Sequence, residues 1–377
     1  MGLFKKLFQF TLGKGLDKKT GYLKGSSANP YLEIIMDSDD QDVIADELFQ
    51  VGLAYKYGQF EFPQSDEKAI HYIRKAAEKD HAVAQLFTAL SYMKFPDDNN
   101  QDVLYWLNKA AEQGEHQAMY NAGISYHRGD YGVVDIEKSY DLIRRSAERD
   151  YAPACKRLAL FYLDGHDGID KNLPLAKFWA IRAYTLGENC SDLLNQVITP
   201  DDMDNNHYNI VKINREAALE GDRHAFSVIG SYCFDKDLNL SISLLEKAAE
   251  KGDAQATYNM GVYYSQEKDD QVTANQYFEA AAKMGLDRSQ ATLAESYFQG
   301  QGVDKNLEQS WFWNQKAINM AYTPARFLLS LMCLDKSFRE ILPGSEYRGL
   351  YYLNLAVNDN FAPALELAKL LEQQGNI

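Results

Sequence analysis

The chain has 377 residues, 46% of them hydrophobic, which is longer than one ordinary globular domain, yet no stretch approaches the ~20 consecutive apolar residues of a membrane-spanning helix. Its formal net charge of −15 is unevenly spread: residues 1–27 carry six lysines and one acid, a balance of +5, which leaves −20 on residues 28–377. An acidic body of that kind repels phosphate backbones and argues against nucleic acid as a partner.

Residues 1–16, MGLFKKLFQFTLGKGL, place Leu3, Phe4, Leu7, Phe8 and Leu12 at helical spacing with Lys5 and Lys6 on the other side, which predicts a short basic amphipathic helix. The apolar run is too interrupted for a secretory signal, and Lys6 stands where a myristoylation motif has Ser or Thr. Two readings stay open. Leu3, Phe4, Lys5, Lys6, Leu7 and Phe8 anchor the chain to a membrane surface or a partner, or the helix folds back over the exposed face of the first structural repeat. Gly21 to Pro30, rich in Gly, Ser and Asn, reads as a linker.

From residue 76 a signature centred on a small residue returns at Ala76, Ala110, Ser146, Ala183, Ala217, Ala248, Ala281, Ala317 and Ala356, at intervals of 31 to 39 residues. A period in that range marks an array of helix pairs, because one pair cannot bury its own apolar faces and must stack on its neighbours. Each unit shows a first helix with its own small residue (Ala84, Ala118, Ala154, Ala225, Ala256, Ser289, Ala325, Ala364) and a second helix ended by glycine or a turn. The pattern breaks between Gly187 and Tyr208, where the first helix shrinks to CSDLLNQVIT, with Pro200 and DDMDNN after it. The expected organisation is a basic segment and linker over 1–27, front repeats over 40–188, a degenerate repeat or loop over 189–207, and rear repeats with a C-terminal capping helix over 208–377.

Residues 290–317 carry Leu293–Ala294, Tyr297, Gly300, Gly302, Val303 and Trp313 in order, and residues 154–187 carry Leu158–Ala159, Tyr162, Gly165, Gly168–Ile169–Asp170 and Trp179. This pattern resembles the Sel1-like repeat family, kin of the tetratricopeptide repeats. The resemblance implies an all-α fold, a right-handed α-solenoid of about nine antiparallel helix pairs, that displays a binding surface and carries no catalytic residue.

Nothing in the chain carries chemistry of its own. GHDGIDKN and GQGVDKN lack the Gly-Lys-Ser/Thr ending of a phosphate loop and read as turns. The seven histidines fall singly, so no metal site and no cofactor are expected. Cys155, Cys190, Cys233 and Cys333 lie one per repeat, as suits free thiols in a reducing cytoplasm. Trp106, Trp179 and Trp313 stand four residues before the alanine position and are expected in the core. Trp311 falls outside that register and is expected at the surface. Acidic pairs such as Asp97–Asp98, Asp201–Asp202 and Asp269–Asp270 are expected to be solvated.

In kin of the family the first helices line the concave surface. Carried across by position, the resemblance marks Tyr120, Asn121, Ile124, His127 and Arg128, then Lys156, Arg157 and Leu160, then Tyr258, Asn259 and Val262, and finally Thr292, Glu295 and Phe298. Asn121 and Asn259 either hold a peptide backbone or bond within their own helices, and His127, Arg128, Lys156 and Arg157 form a basic spot suited to a carboxylate. The expected function is that of a bacterial, cytoplasmic, non-enzymatic scaffold holding a protein or peptide, either as an adaptor or as an immunity protein neutralising a basic toxin. The alternative is an adaptor tethered to the inner membrane surface by residues 1–16.

Overall fold

The structure is a computed structural model that describes residues 43–59, 62–94, 100–165, 168–204, 207–342 and 345–373. The amphipathic segment 1–16, the linker and Asp97–Asp98 lie outside the described residues. Among the described residues, nine helix pairs and a final helix run in sequence. The pairs are α1 (Ala45–Tyr57) and α2 (Asp66–Glu78), α3 (Ala82–Lys94) and α4 (Asn100–Gln113), α5 (His116–Arg128) and α6 (Ile136–Ala147), and α7 (Ala152–Asp164) and α8 (Leu173–Thr185). Next come α9 (Ser191–Val197) and α10 (Ile210–Leu219), α11 (Arg223–Cys233) and α12 (Leu238–Glu250), and α13 (Ala254–Gln266) and α14 (Gln271–Lys283). The array ends with α15 (Asp287–Gln299) and α16 (Leu307–Asn319), α17 (Thr323–Leu334) and α18 (Ser345–Asn358), and the final α19 (Ala362–Gln373). This is an all-α repeat array of the α-solenoid class.

The small-residue register is a packing register. All nine second-helix positions from Ala76 to Ala356, and all eight first-helix positions from Ala84 to Ala364, are 0% exposed. Only side chains of that size let two helix axes approach so closely. At Gly123 an added Cβ would lie 2.7 Å from Ile143 Cγ1 on the facing second helix. Where serine replaces alanine at position 146, its hydroxyl donates to His116 O at 2.6 Å and is satisfied within the interface.

Side-chain caps punctuate the array. Glu115, Asp222 and Asp253 accept the Ala118, Ala225 and Ala256 amides at the starts of α5, α11 and α13. Asp135, Asn172, Asp237, Asp270 and Asn306 do the same for second helices. Asp270 is thus a cap. Trp106, Trp179 and Trp313 are buried, as the register requires. Trp311 is half-buried against Phe338, with ring centroids 5.9 Å apart, and Phe312 is the exposed ring of α16. All four cysteines are free thiols.

The described residues divide into two compact units, the first formed by residues 43–88 and 287–373, the second by residues 89–286. In the first unit, helices far apart in sequence meet through buried charge. Arg326 Nη2 donates to Asp46 Oδ1 at 2.8 Å, and Arg348 Nε donates to Glu47 Oε1 at 2.7 Å, across 280 and 301 residues. Asn319 Nδ2 adds a bond to Asp80 O at 3.3 Å.

In the second unit Arg149 donates to Met284 O at 2.7 Å and to Gly285 O at 3.0 Å, which ties the turn after α6 to the turn after α14. The backbones at Gly114 and Gly285 lie so close that an added Cβ on Gly114 would fall 2.7 Å from Gly285 O. Between Gly187 and Tyr208 the first helix is reduced to the seven residues of α9, whose Leu193, Leu194 and Val197 are buried. Pro200–Asp202 forms a 3-10 turn, and β1 (Met203–Asp204) pairs antiparallel with β2 (His207–Tyr208), Met203 opposite Tyr208. Asp202, expected to be solvated, is instead fully buried against Lys177 Nζ at 2.6 Å.

Candidate partner-binding surface

The first helices of the second unit carry most of the residues marked from the sequence. On α5, Tyr120, Asn121 and Ile124 are half-buried, and the Tyr120 ring meets Tyr151 edge-on at 5.5 Å. Tyr120, Ile124 and Leu160 rest on the core around Trp179 while keeping part of their surface open.

The basic residues next to them divide into two sets. Lys156 Nζ is committed to Asn189 O at 2.7 Å and to the Glu188 carboxylate at 3.2 Å, so it does not belong to the basic spot. Arg157 lies with its guanidinium 4.8 Å over the Phe161 ring, and its buried Nε has no hydrogen-bond partner. His127 approaches the same ring at 5.5 Å, and Arg128, the next residue on α5, is exposed. Burial, chiefly, lowers the proton affinity of Arg157; Tyr120 opposes it, the Arg128 charge adds to it, and the Asp164 carboxylate opposes it more weakly. Arg128 and Arg157 form no salt bridge with a carboxylate among the described residues, although the chain as a whole is acidic.

Most of the remaining marked residues are tied to neighbouring side chains, although Glu295 is exposed. Asn259 accepts from Gln255 Nε2 and donates to Ser231 Oγ, both at 2.9 Å, so its amide joins its own helix to α11. Tyr258 leans on Phe278 at 5.3 Å, and Val262 is half-buried. Thr292, Glu295 and Phe298 belong to the other unit. Thr292 Oγ1 donates to Arg288 O, Glu295 accepts from Gln299, and Phe298, 5% exposed, is core under Lys305.

Two buried histidines were not legible as network residues in the sequence, because their partners lie on other repeats. His224 stacks on Trp179 at 5.4 Å, with Nδ1 3.3 Å from Asp253 and Nε2 3.6 Å from Asp150. Burial disfavours its charge, but the two carboxylates outweigh burial and push its pKa up to about 10. Asp150 also pairs with Arg182, and Glu148 with Arg223, so the turns between repeats are cross-linked by charge. His81 accepts the Ala84 amide at Nδ1 and faces Asp46 through Nε2 at 3.2 Å. No group of three or more potential metal ligands occurs among the described residues, and none of their helices is long and apolar enough to cross a membrane.

The model of the Sel1 repeat matches residues 48–81, 104–115, 116–151, 152–188, 230–253, 254–286 and 288–322, and the stretch 189–229 that holds the hairpin lies between matches. The chitin synthase regulator SKT5 of Saccharomyces cerevisiae is 26% identical over 280 residues, covering 67% of this chain. The chain spans 39% of the length of that regulator. Among solved structures, the protective antigen c5321 of uropathogenic Escherichia coli, described as displaying an SLR fold, has 23% identity and a TM-score of 0.41, covering 92% of this chain and 76% of its own. A Sel1 repeat protein from Oxalobacter formigenes has 22% identity and a TM-score of 0.35, covering 74% and 96%. With the repeat matched over more than half of its length and the small-residue register buried throughout, the chain belongs to the Sel1 repeat family.

Proposed function

We propose that this protein is a non-enzymatic adaptor that holds a partner protein on the α5 and α7 surface of its second unit. Sel1 repeats generally mediate protein–protein interaction, and the similarity to a protein named as a regulator of chitin synthase favours an adaptor over a catalyst. The observation that carries the reading is the Arg128–Arg157 pair, two cations without a carboxylate partner among the described residues, beside the half-open apolar side chains of Tyr120, Ile124 and Leu160. An acidic side chain or terminal carboxylate of the partner fits between the guanidinium groups, with an apolar neighbour on Ile124 and Leu160.

The test is capture of the tagged full-length protein from its native cells, in parallel with the Arg128→Glu/Arg157→Gln variant, with bound proteins quantified by mass spectrometry. One stoichiometric protein held by the wild type and lost from the variant supports the reading. Equal recovery by both refutes the placement, and no stoichiometric protein with either refutes the adaptor. A second reading rests on the basic amphipathic pattern of residues 1–16, which suits reversible attachment to anionic lipid. It predicts that full-length protein floats with anionic liposomes and that Lys5→Glu/Lys6→Glu abolishes flotation.

A further inference from the structure

The insert between α9 and α10 is an anchored element. The buried Asp202 carboxylate accepts from Thr199 N at 2.9 Å and Thr199 Oγ1 at 2.8 Å, with Lys177 Nζ at 2.6 Å and Lys212 Nζ at 3.3 Å. Lys212 Nζ also donates to Asp201 O at 2.9 Å, and Asn209 N to Asp202 O at 2.7 Å, which closes the base of the hairpin. A buried carboxylate is tolerated only when its hydrogen bonds are met. Here four donors meet them, and a repeat that had merely decayed would have no need of such an arrangement.

Exposed carboxylates flank the apolar face of the anchored hairpin, Asp201 just before it and Asp204 on the other side of the pleat. Met203 and Tyr208 are directly opposite in the hairpin and share a face, and the Tyr208 ring meets Tyr184 edge-on at 5.7 Å. Tyr184 is 49% exposed, and just after Tyr208 the first turn of α10 leaves Val211 61% exposed. From residue 183 to residue 211 there is no lysine or arginine, while Asp192, Asp201 and Asp204 are exposed.

The geometry points to a docking surface for a basic amphipathic segment of a partner protein. Its apolar side chains cover Tyr184, Met203 and Val211, and its Lys or Arg residues meet Asp201 and Asp204. Charge complementarity selects this occupant: an anionic membrane or nucleic acid is repelled, and a neutral apolar partner leaves the flanking carboxylates desolvated and unpaired. The surface is distinct from the Arg128–Arg157 site and stands whether or not that site binds.

The probe is a fluorescent synthetic peptide of Leu and Lys at helical spacing, with a Leu/Glu version as control, titrated by anisotropy against full-length protein. The Lys peptide binds, the Glu peptide does not, and Met203→Asp/Val211→Asp weakens binding at least about tenfold. Val134→Asp, an equally exposed valine before α6, leaves it unchanged. Asp201→Asn/Asp204→Asn, which spares the apolar side chains, reduces both the affinity and its salt dependence. Equal binding by wild type and the Met203/Val211 variant means diffuse attraction to an acidic protein and overturns the proposal, as does no binding at all. Binding seen only in the Lys5→Glu/Lys6→Glu variant assigns the surface to the chain's own basic segment and likewise overturns it.

Discussion

His81 and His224 are both buried beside an aspartate, yet their surroundings set opposite charge states. His81 accepts a backbone amide at Nδ1, and burial, reinforced by the Arg326 charge, outweighs Asp46 and lowers its pKa. His224 has a carboxylate toward each nitrogen and titrates near pH 10. Its folded pKa lies above the unfolded value of about 6.5, so the stabilisation is complete below that pH and disappears as pH rises toward 10. The urea midpoint of the wild type therefore falls more between neutral pH and pH 10 than that of His224→Gln, and equal slopes would show that His224 is neutral when folded.

Asp46 poses the complementary case. Despite burial, Arg326 and His81 hold its carboxyl well below the usual carboxylate range. Asp46→Ala removes the buried partner of the Arg326 guanidinium and leaves it only Asp359, 3.6 Å away and partly exposed; the expected cost in denaturant unfolding is about 3 kcal/mol, with Asp46→Asn/Arg326→Met recovering part of it.

Elements were legible in the sequence wherever a local steric rule decides them. The small-residue register and the capping Asp and Asn residues mark helix starts and contacts within one repeat, and no distant residue changes that requirement. Elements whose shape depends on another repeat were less legible. Asp202 reads as one of a pair of loop acids until Lys177 on α8 is seen beside it, and Trp311 reads as exposed until Phe338 covers it. Of the basic spot, His127 and Arg157 meet at Phe161 with Arg128 exposed next to His127 in sequence, whereas Lys156 is drawn to Glu188 by the turn after α8. For the insert, Asp202→Ala is expected to speed amide hydrogen exchange over residues 199–212 and leave α5 and α7 unchanged. Unaltered exchange in that stretch would mean that the hairpin does not depend on the buried carboxylate.

At the scale of the whole molecule, each unit is sealed by contacts that no sequence window contains. Repeat arrays normally gain stability from nearest neighbours, so damage at one end stays local. The first unit departs from that rule, because the first turn of α1 supplies Asp46 and Glu47 to Arg326 and Arg348. Glu47→Ala is therefore expected to reduce exchange protection in α17 and α18, although they lie about 300 residues on. Loss confined to α1 and α2 would show that these ion pairs do not couple the two segments.

The most direct measurement of the central claim is the affinity of the purified stoichiometric partner for wild-type protein and for Arg128→Glu/Arg157→Gln, by titration calorimetry on variants with unchanged circular dichroism. The adaptor account predicts saturable one-to-one binding that the double substitution weakens at least about tenfold. Undiminished affinity in the variant would contradict it.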